Sequence, residues 1–316
     1  MHLRRNPSTA VVIAAFVAAS LICPCLGEVA DAQETRDTTA PQWVTPAVRA
    51  TRLQHRTFES AAARTKVSYH VYTPEIYDSE IERRFPVIYW LHGSGGRVPA
   101  PMVARLDSAI RAGKVPPVLV VFPNGLVNSL WVDSKDGRVP METVVVKELL
   151  PHIDATFRTI DSPAGRLIEG MSMGGYGAAR LGFKFPNLFG AVSILSGGPL
   201  QEEFKVHEAP RANSVQAQAV LDAVYGGDHD YFRMQSPWVL AEQNAEAVRR
   251  MKRIRQVVGD RDAVLENNRK FDARLSGLKI PHAFIVLPGV SHNLRELHTA
   301  LGEDNWAFYR EVFGRQ

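Results

Sequence analysis

Thiols are nearly missing from this chain. Its 316 residues include 2 cysteines, Cys23 and Cys25, and both lie within the first thirty residues. Beyond them a cysteine nucleophile, a cysteine-built metal site and a disulfide framework are excluded. An excess of one charge is also missing. Lys and Arg number 37 against 33 Asp and Glu, a net +4 with the charges scattered, which points away from a nucleic-acid or membrane-surface partner. No repeat, low-complexity tract or linker interrupts the body. Without staples, the fold must rest on an apolar core, and a chain of this length can supply one.

What is present begins with a leader. Arg4 and Arg5 precede an apolar run from Val11 to Cys23, followed by Ala30-Asp31-Ala32. That order is expected of a secretory signal peptide over 1–32, cleaved near Gln33. The run is about 13 residues, short of the roughly 20 that a membrane span needs. Residues 33–48 are polar and punctuated by proline and read as a flexible lead-in. The remainder, 49–316, reads as one catalytic domain.

Short apolar runs recur along that domain. TKVSYHVYTP (65–74) alternates as a half-buried strand does. PVIYWLHG (86–93), VPPVLVVFPNG (115–125), GRLIEG (165–170), GAVSILSGG (190–198), KRIRQVVGD (252–260) and HAFIVLPG (282–289) are apolar on both faces, as strands of a covered parallel sheet are. Helical spacing appears over 141–157, 173–185, 236–251, 263–278 and 293–313, with Pro151 expected to kink or end the first of these. The alternation predicts a mostly parallel, doubly wound α/β sheet flanked by helices. Residues 199–235 break the rhythm and read as an insertion above the sheet, a lid or pocket wall.

The stretch EGMSMGGYG (169–177) contains G-x-S-x-G between an expected strand and an expected helix. A sharp turn there would lift the Ser172 hydroxyl above the strand ends, where a nucleophile is wanted. Glycines two residues to either side prevent collisions across the turn. A serine hydroxyl is a weak nucleophile, so it needs a base, and the base needs an acid to orient it. The strand run RIRQVVGDRDAV offers Asp260 and Asp262, of which Asp262 is the expected acid and Asp260 its rival in the turn. The next strand run, FIVLPGVSHNL, offers His292 as base, with His298 a poorer choice further into the helix. All leave strand C-terminal ends, where open α/β sheets bind ligands. The oxyanion of the reaction needs donors. The backbone N–H groups of Met173 and of Ser94, in LHGSGG (91–96), are the candidates, with His92 shaping the loop. Trp131 and Asp133 in SLWVDSKDG are candidate substrate contacts. Gly226-Gly227-Asp228-His229-Asp230 has metal-like residue types without a full ligand spacing and reads as a polar loop.

Taken together, WLHGSGG, FPNGLVNSLWVDS, GRLIEGMSMGGYGAARLGFKF, VVGDRDAV and LPGVSHNL resemble the esterase family of α/β hydrolases that includes feruloyl esterases, S-formylglutathione hydrolase and the antigen 85 mycolyltransferases. The resemblance runs from about residue 50 to the C-terminus. It implies an α/β-hydrolase fold and a nucleophile at Ser172, acid at Asp262 and base at His292. It also implies oxyanion donors at Ser94 and Met173, and no cofactor. The leader fits secreted feruloyl or acetyl esterases acting on small-molecule or polysaccharide-linked esters better than the cytosolic members. An acyltransferase with the same triad and a non-catalytic carbohydrate-binding or surface protein on the same fold are the alternatives.

Overall fold

A computed structural model describes residues 41–96 and 98–314; the expected signal peptide and the first part of the lead-in lie outside the described residues. Eight strands form one sheet: β1 (Leu53–Ser60), β2 (Thr65–Tyr72), β3 (Val87–Leu91), β4 (Leu119–Pro123), β5 (Arg166–Met171), β6 (Ala191–Leu195), β7 (Arg253–Gly259) and β8 (Ala283–Leu287). The order is β1-β2-β4-β3-β5-β6-β7-β8. β1 and β2 are antiparallel to each other, β2 is antiparallel to β4, and the remaining neighbours are parallel. This is the α/β-hydrolase fold.

The apolar runs are buried from both sides, and the side chains of β3 show how. Val87, Tyr89 and Leu91 point into one core, and Ile88 and Trp90 point into the other. β4 repeats the division, with Leu119 and Val121 on the first side and Val120 and Phe122 on the second. Each such side chain contributes about 1.5–3 kcal/mol on burial. The first core is covered by the helices Met173–Lys184, Pro237–Gln243 and Leu265–Gly277 and by the helical stretch from Met141 to Thr156. The second is covered by Ala100–Arg111 and Leu294–Phe313.

Two elements depart from the sequence reading, and the insertion gains detail. Residues 41–48 are tied down rather than loose: Trp43 is buried, its carbonyl accepts from the Ser68 N–H at 2.8 Å, and the Val48 N–H donates to His70 Nε2. Pro151 does not stop its helix. The preceding turn widens over Val144–Leu149, with the Leu150 N–H reaching the Val145 carbonyl, and this wider winding carries the chain past the proline. The 199–235 insertion is largely helical, with Ser214–Tyr225 and His229–Gln235. Gly226, in the left-handed region, ends the first of these helices, and the Asp228 carboxylate caps the second.

The parallel strands all end at one edge. There β5 leads into Ser172, β7 into Asp262 and β8 into His292. Gly259 lies opposite Leu287, so the acid and base loops leave from neighbouring positions.

Candidate active site

Ser172 sits at the turn from β5 into the helix Met173–Lys184, with φ 60° and ψ −121°. A non-glycine residue there is strained by about 1–3 kcal/mol and persists only where its surroundings fix it. Three backbone bonds do so. The Ser172 N–H donates to the Leu195 carbonyl at 3.0 Å, and the Ser172 carbonyl accepts from Tyr176 at 3.0 Å and Gly198 at 3.1 Å. The glycine spacing is demanded by β3 as much as by the turn. A Cβ on Gly174 would stand 1.9 Å from the Leu91 carbonyl oxygen, and one on Gly170 would stand 2.4 Å from the Gly174 carbonyl oxygen. The Ser172 side chain makes no capping bond to its own helix, which leaves the hydroxyl available to the cleft.

Asp262 and His292 meet. The His292 Nδ1–H donates to the Asp262 carboxylate at 2.8 Å from Oδ2 and 3.0 Å from Oδ1. The Val264 N–H also donates to Oδ1. Burial pushes the Asp262 carboxyl upward, but the bonds from His292 and the Val264 N–H outweigh it and hold the group below the usual carboxylate value. The acid is therefore ionised, and Nε2 is the ring nitrogen left over for a hydroxyl. Asp260, the rival, is exposed and accepts from the Gly289 N–H, closing the turn between the two loops. His298 is buried in the long C-terminal helix and stands apart from the cleft lining.

The loop after β3 runs against the serine. A Cβ on Gly93 would lie 3.2 Å from the Ser172 Cβ and 3.8 Å from its Oγ. Ser94 and Met173 touch through Oγ and Sδ at 4.0 Å, and neither backbone N–H is taken up within the described backbone network. Both residues line the same cleft as Ser172. His92 fixes this loop. Its Nδ1–H donates to the Gly93 carbonyl and its Nε2 accepts from the Gly125 N–H at 2.9 Å. Burial lowers its pKa, so the ring is neutral and suited to accept.

Ser172, His292, Ser94 and Met173 all border one cleft of about 920 Å³. Its floor and walls include Trp90, Leu130 and Met171, and the insertion supplies Gln201, Phe204, Arg211 and Val220. The insertion is thus a pocket wall.

Two expected substrate contacts lie elsewhere. Trp131 is fully buried, and its ring fills the space under Gly125 and Gly177, where an added Cβ would come within 2.3 Å and 2.4 Å of it. Its ring lies 5.0 Å from the His92 ring at a tilt of 57°, so it supports the loop from below. Asp133 accepts from the Thr143 N–H and hydroxyl, and so caps the helical stretch that starts at Met141. The pocket-facing residue of that segment is Leu130, one step along the chain. Trp90 was also missed as a lining residue, because its strand reads as uniformly apolar and gives no sign of which side chain comes to the edge.

The sequence matches the "Putative esterase" family over residues 60–311. It is 31% identical over 260 residues to an esterase of Mycobacterium tuberculosis, a stretch covering 75% of this chain and 55% of that protein. It is 32% identical over 164 residues to an endo-1,4-beta-xylanase/feruloyl esterase of Xylanibacter ruminicola, covering 48% of this chain and 23% of that protein. The chain thus spans about half the length of the first relative and less of the second. Among solved structures it superposes on a ferulic acid esterase with a TM-score of 0.68 at 23% identity, over 83% of this chain and 98% of the other. An S-formylglutathione hydrolase of Staphylococcus aureus gives 0.64 at 16% identity, over 82% and 98%. These two structures share its fold.

Proposed function

The chain belongs to the "Putative esterase" family, and from that premise we propose that it is a serine ester hydrolase in which Ser172, His292 and Asp262 form the catalytic triad. The observation that carries the reading is the Asp262–His292 hydrogen bond at the rim of a cleft that also holds a serine on a strained elbow.

The Ser172 Oγ attacks the ester carbonyl carbon while His292 Nε2 takes its proton. Asp262 holds the ring in the tautomer that makes Nε2 basic and stabilises the imidazolium that forms. The carbonyl oxygen becomes an oxyanion between the Ser94 and Met173 N–H groups. Collapse breaks the bond to the alcohol oxygen, and His292 returns the proton to that oxygen. Water, deprotonated by His292 in turn, then releases the acid and restores the serine.

Two finer parts of the proposal rest on other support. The Arg4–Ala32 leader supports an exported enzyme, secreted or periplasmic. The relatives named as feruloyl esterases support an acyl ester of carbohydrate. The apolar wall of Trp90, Leu130 and Phe204 would accept an aromatic or short acyl chain.

The test is turnover of 4-nitrophenyl acetate, 4-nitrophenyl butyrate and methyl ferulate, with the free acid quantified. The chain should release acid from at least one of these esters. Ser172→Ala, melting at the wild-type temperature, should lose several orders of magnitude. Full turnover by folded Ser172→Ala would refute the assignment.

A further inference from the structure

The charge around the cleft is one-sided. No aspartate or glutamate borders it among the described residues, and apart from His292 its ionisable side chains are Arg211 and Arg295. The two arginines come from different parts of the chain. Arg211 belongs to the wall that precedes the helix Ser214–Tyr225, and Arg295 to the first turn of the helix that follows His292. Both are exposed.

Elsewhere on the surface many arginines are matched, as Arg233 is with Glu202, Arg250 with Glu246, Arg253 with Glu311, and Arg274 with Glu242. Arg211 and Arg295 form no ion pair among the described residues. The carboxylates close to them in sequence are engaged in other contacts. Glu208 pairs with Lys205, and Glu296 takes the N–H and hydroxyl of Ser291. Two guanidinium groups outside any ion pair, Arg211 and Arg295, therefore border a cleft whose other walls are mostly apolar, with the Glu296 carboxylate, itself held by Ser291, the acidic group near enough to Arg295 to feel its charge.

We infer that the ester cleaved at this site carries an anionic group, a carboxylate or an acidic ester, held by Arg211 and Arg295. The inference rests on the hydrolase reading and adds a substrate class to it. A cleft lined by one sign of charge, with low-dielectric walls, concentrates ligands of the opposite sign and speeds their capture. A guanidinium adds a two-pronged hydrogen bond that fits carboxylate, phosphate or sulfate oxygens and gives a neutral ester nothing. An acidic sugar carrying the acyl group would present such an anion on the alcohol side, and a dicarboxylic half-ester would present it on the acyl side.

Two matched substrate pairs decide the matter. 4-Butyryloxybenzoate and its methyl ester differ in charge on the leaving alcohol. Monophenyl succinate and phenyl methyl succinate differ in charge on the acyl group. The quantity read is the ratio of kcat/KM for the anionic member to that for the neutral member, in the wild type and in Arg211→Gln, Arg295→Gln and the double variant. At least one pair should favour the anion by about tenfold or more at low salt. The double variant should bring that ratio down by a similar factor, and added salt should erode it in the wild type. The pair that responds identifies which half of the ester carries the charge. Ratios near one for both pairs, or ratios that survive the double substitution in folded protein, would overturn the inference. Failure of the wild type on all four esters would overturn the hydrolase reading beneath it, so the two failures are distinct.

Discussion

Asp262 and His292, thirty residues apart in the chain, share a hydrogen bond of 2.8 Å between Oδ2 and Nδ1 because β7 and β8 are parallel neighbours that end together. In the proposed triad that contact, added to the serine turn, is what would make Ser172 a nucleophile rather than part of a glycine-rich corner. Asp262→Asn keeps the shape but can donate from its amide, so it can orient His292 in the tautomer with Nδ1 unprotonated. The expected outcome is a fall in kcat of about three to four orders of magnitude with little change in melting temperature. A loss below about tenfold, measured on a 4-nitrophenyl ester, would remove Asp262 from the triad.

Trp131 should matter to stability and not to substrate contact. Truncating a fully buried Trp to Ala costs about 3–5 kcal/mol. Chemical denaturation of Trp131→Ala should show that loss, while KM of the folded protein shifts by less than about threefold. A large KM increase without destabilisation would return Trp131 to the pocket.

Glu169 lies on β5, three residues before Ser172, and is fully buried. Its Oε2 pairs with Arg255 at 2.8 Å and its Oε1 accepts from the Tyr309 hydroxyl at 2.8 Å, and so it fixes the long C-terminal helix to the sheet. Glu169→Ala would strand the Arg255 charge, and the expected cost is about 3–5 kcal/mol. Adding Arg255→Met should recover much of it. Denaturant midpoints showing simple additivity would contradict the pairing.

Acid should weaken the fold before it touches the triad carboxylate. Burial lowers His70 and His298 to about 4 from the ordinary 6.5, with His55 adding to the effect on the first and Arg255 and Arg105 on the second, while Glu169 opposes it. Between those values the unfolded chain binds protons that the folded chain refuses. Stability is therefore full above about pH 6.5 and declines as the pH falls toward 4. Thermal melts across that window should show the decline, and His298→Gln should flatten part of it. Equal slopes in wild type and variant would refute the assignment.

Much of this was legible in the sequence because buried parallel strands and the elbow leave local marks. The runs ending at Gly93, Gly170 and Gly259 read as strands because their residues are apolar on both faces. Asp262 and His292 stood out because each follows such a run. β1 was missed because it is an edge strand whose alternation is carried largely by polar side chains, with Phe58 the one large apolar residue buried in it. The helix Ala100–Arg111 was missed because Pro99 and Pro101 frame its start, where proline is tolerated but reads as a break. Trp131 was misplaced because its direction depends on a positive φ and on the two glycines that make room for its ring, and neither is written nearby. The arginines at the cleft mouth carry no local signal, since only the fold brings residues 211 and 295 to one opening.

The most direct test of the central claim is covalent trapping of the nucleophile. The full chain is treated with a fluorophosphonate, its intact mass is measured, and the adduct is mapped by peptide sequencing. One adduct per chain, on the peptide containing Ser172 and absent from folded Ser172→Ala, is the expected result. A folded wild-type chain that stays unlabelled, or that carries the adduct on another serine, would contradict it.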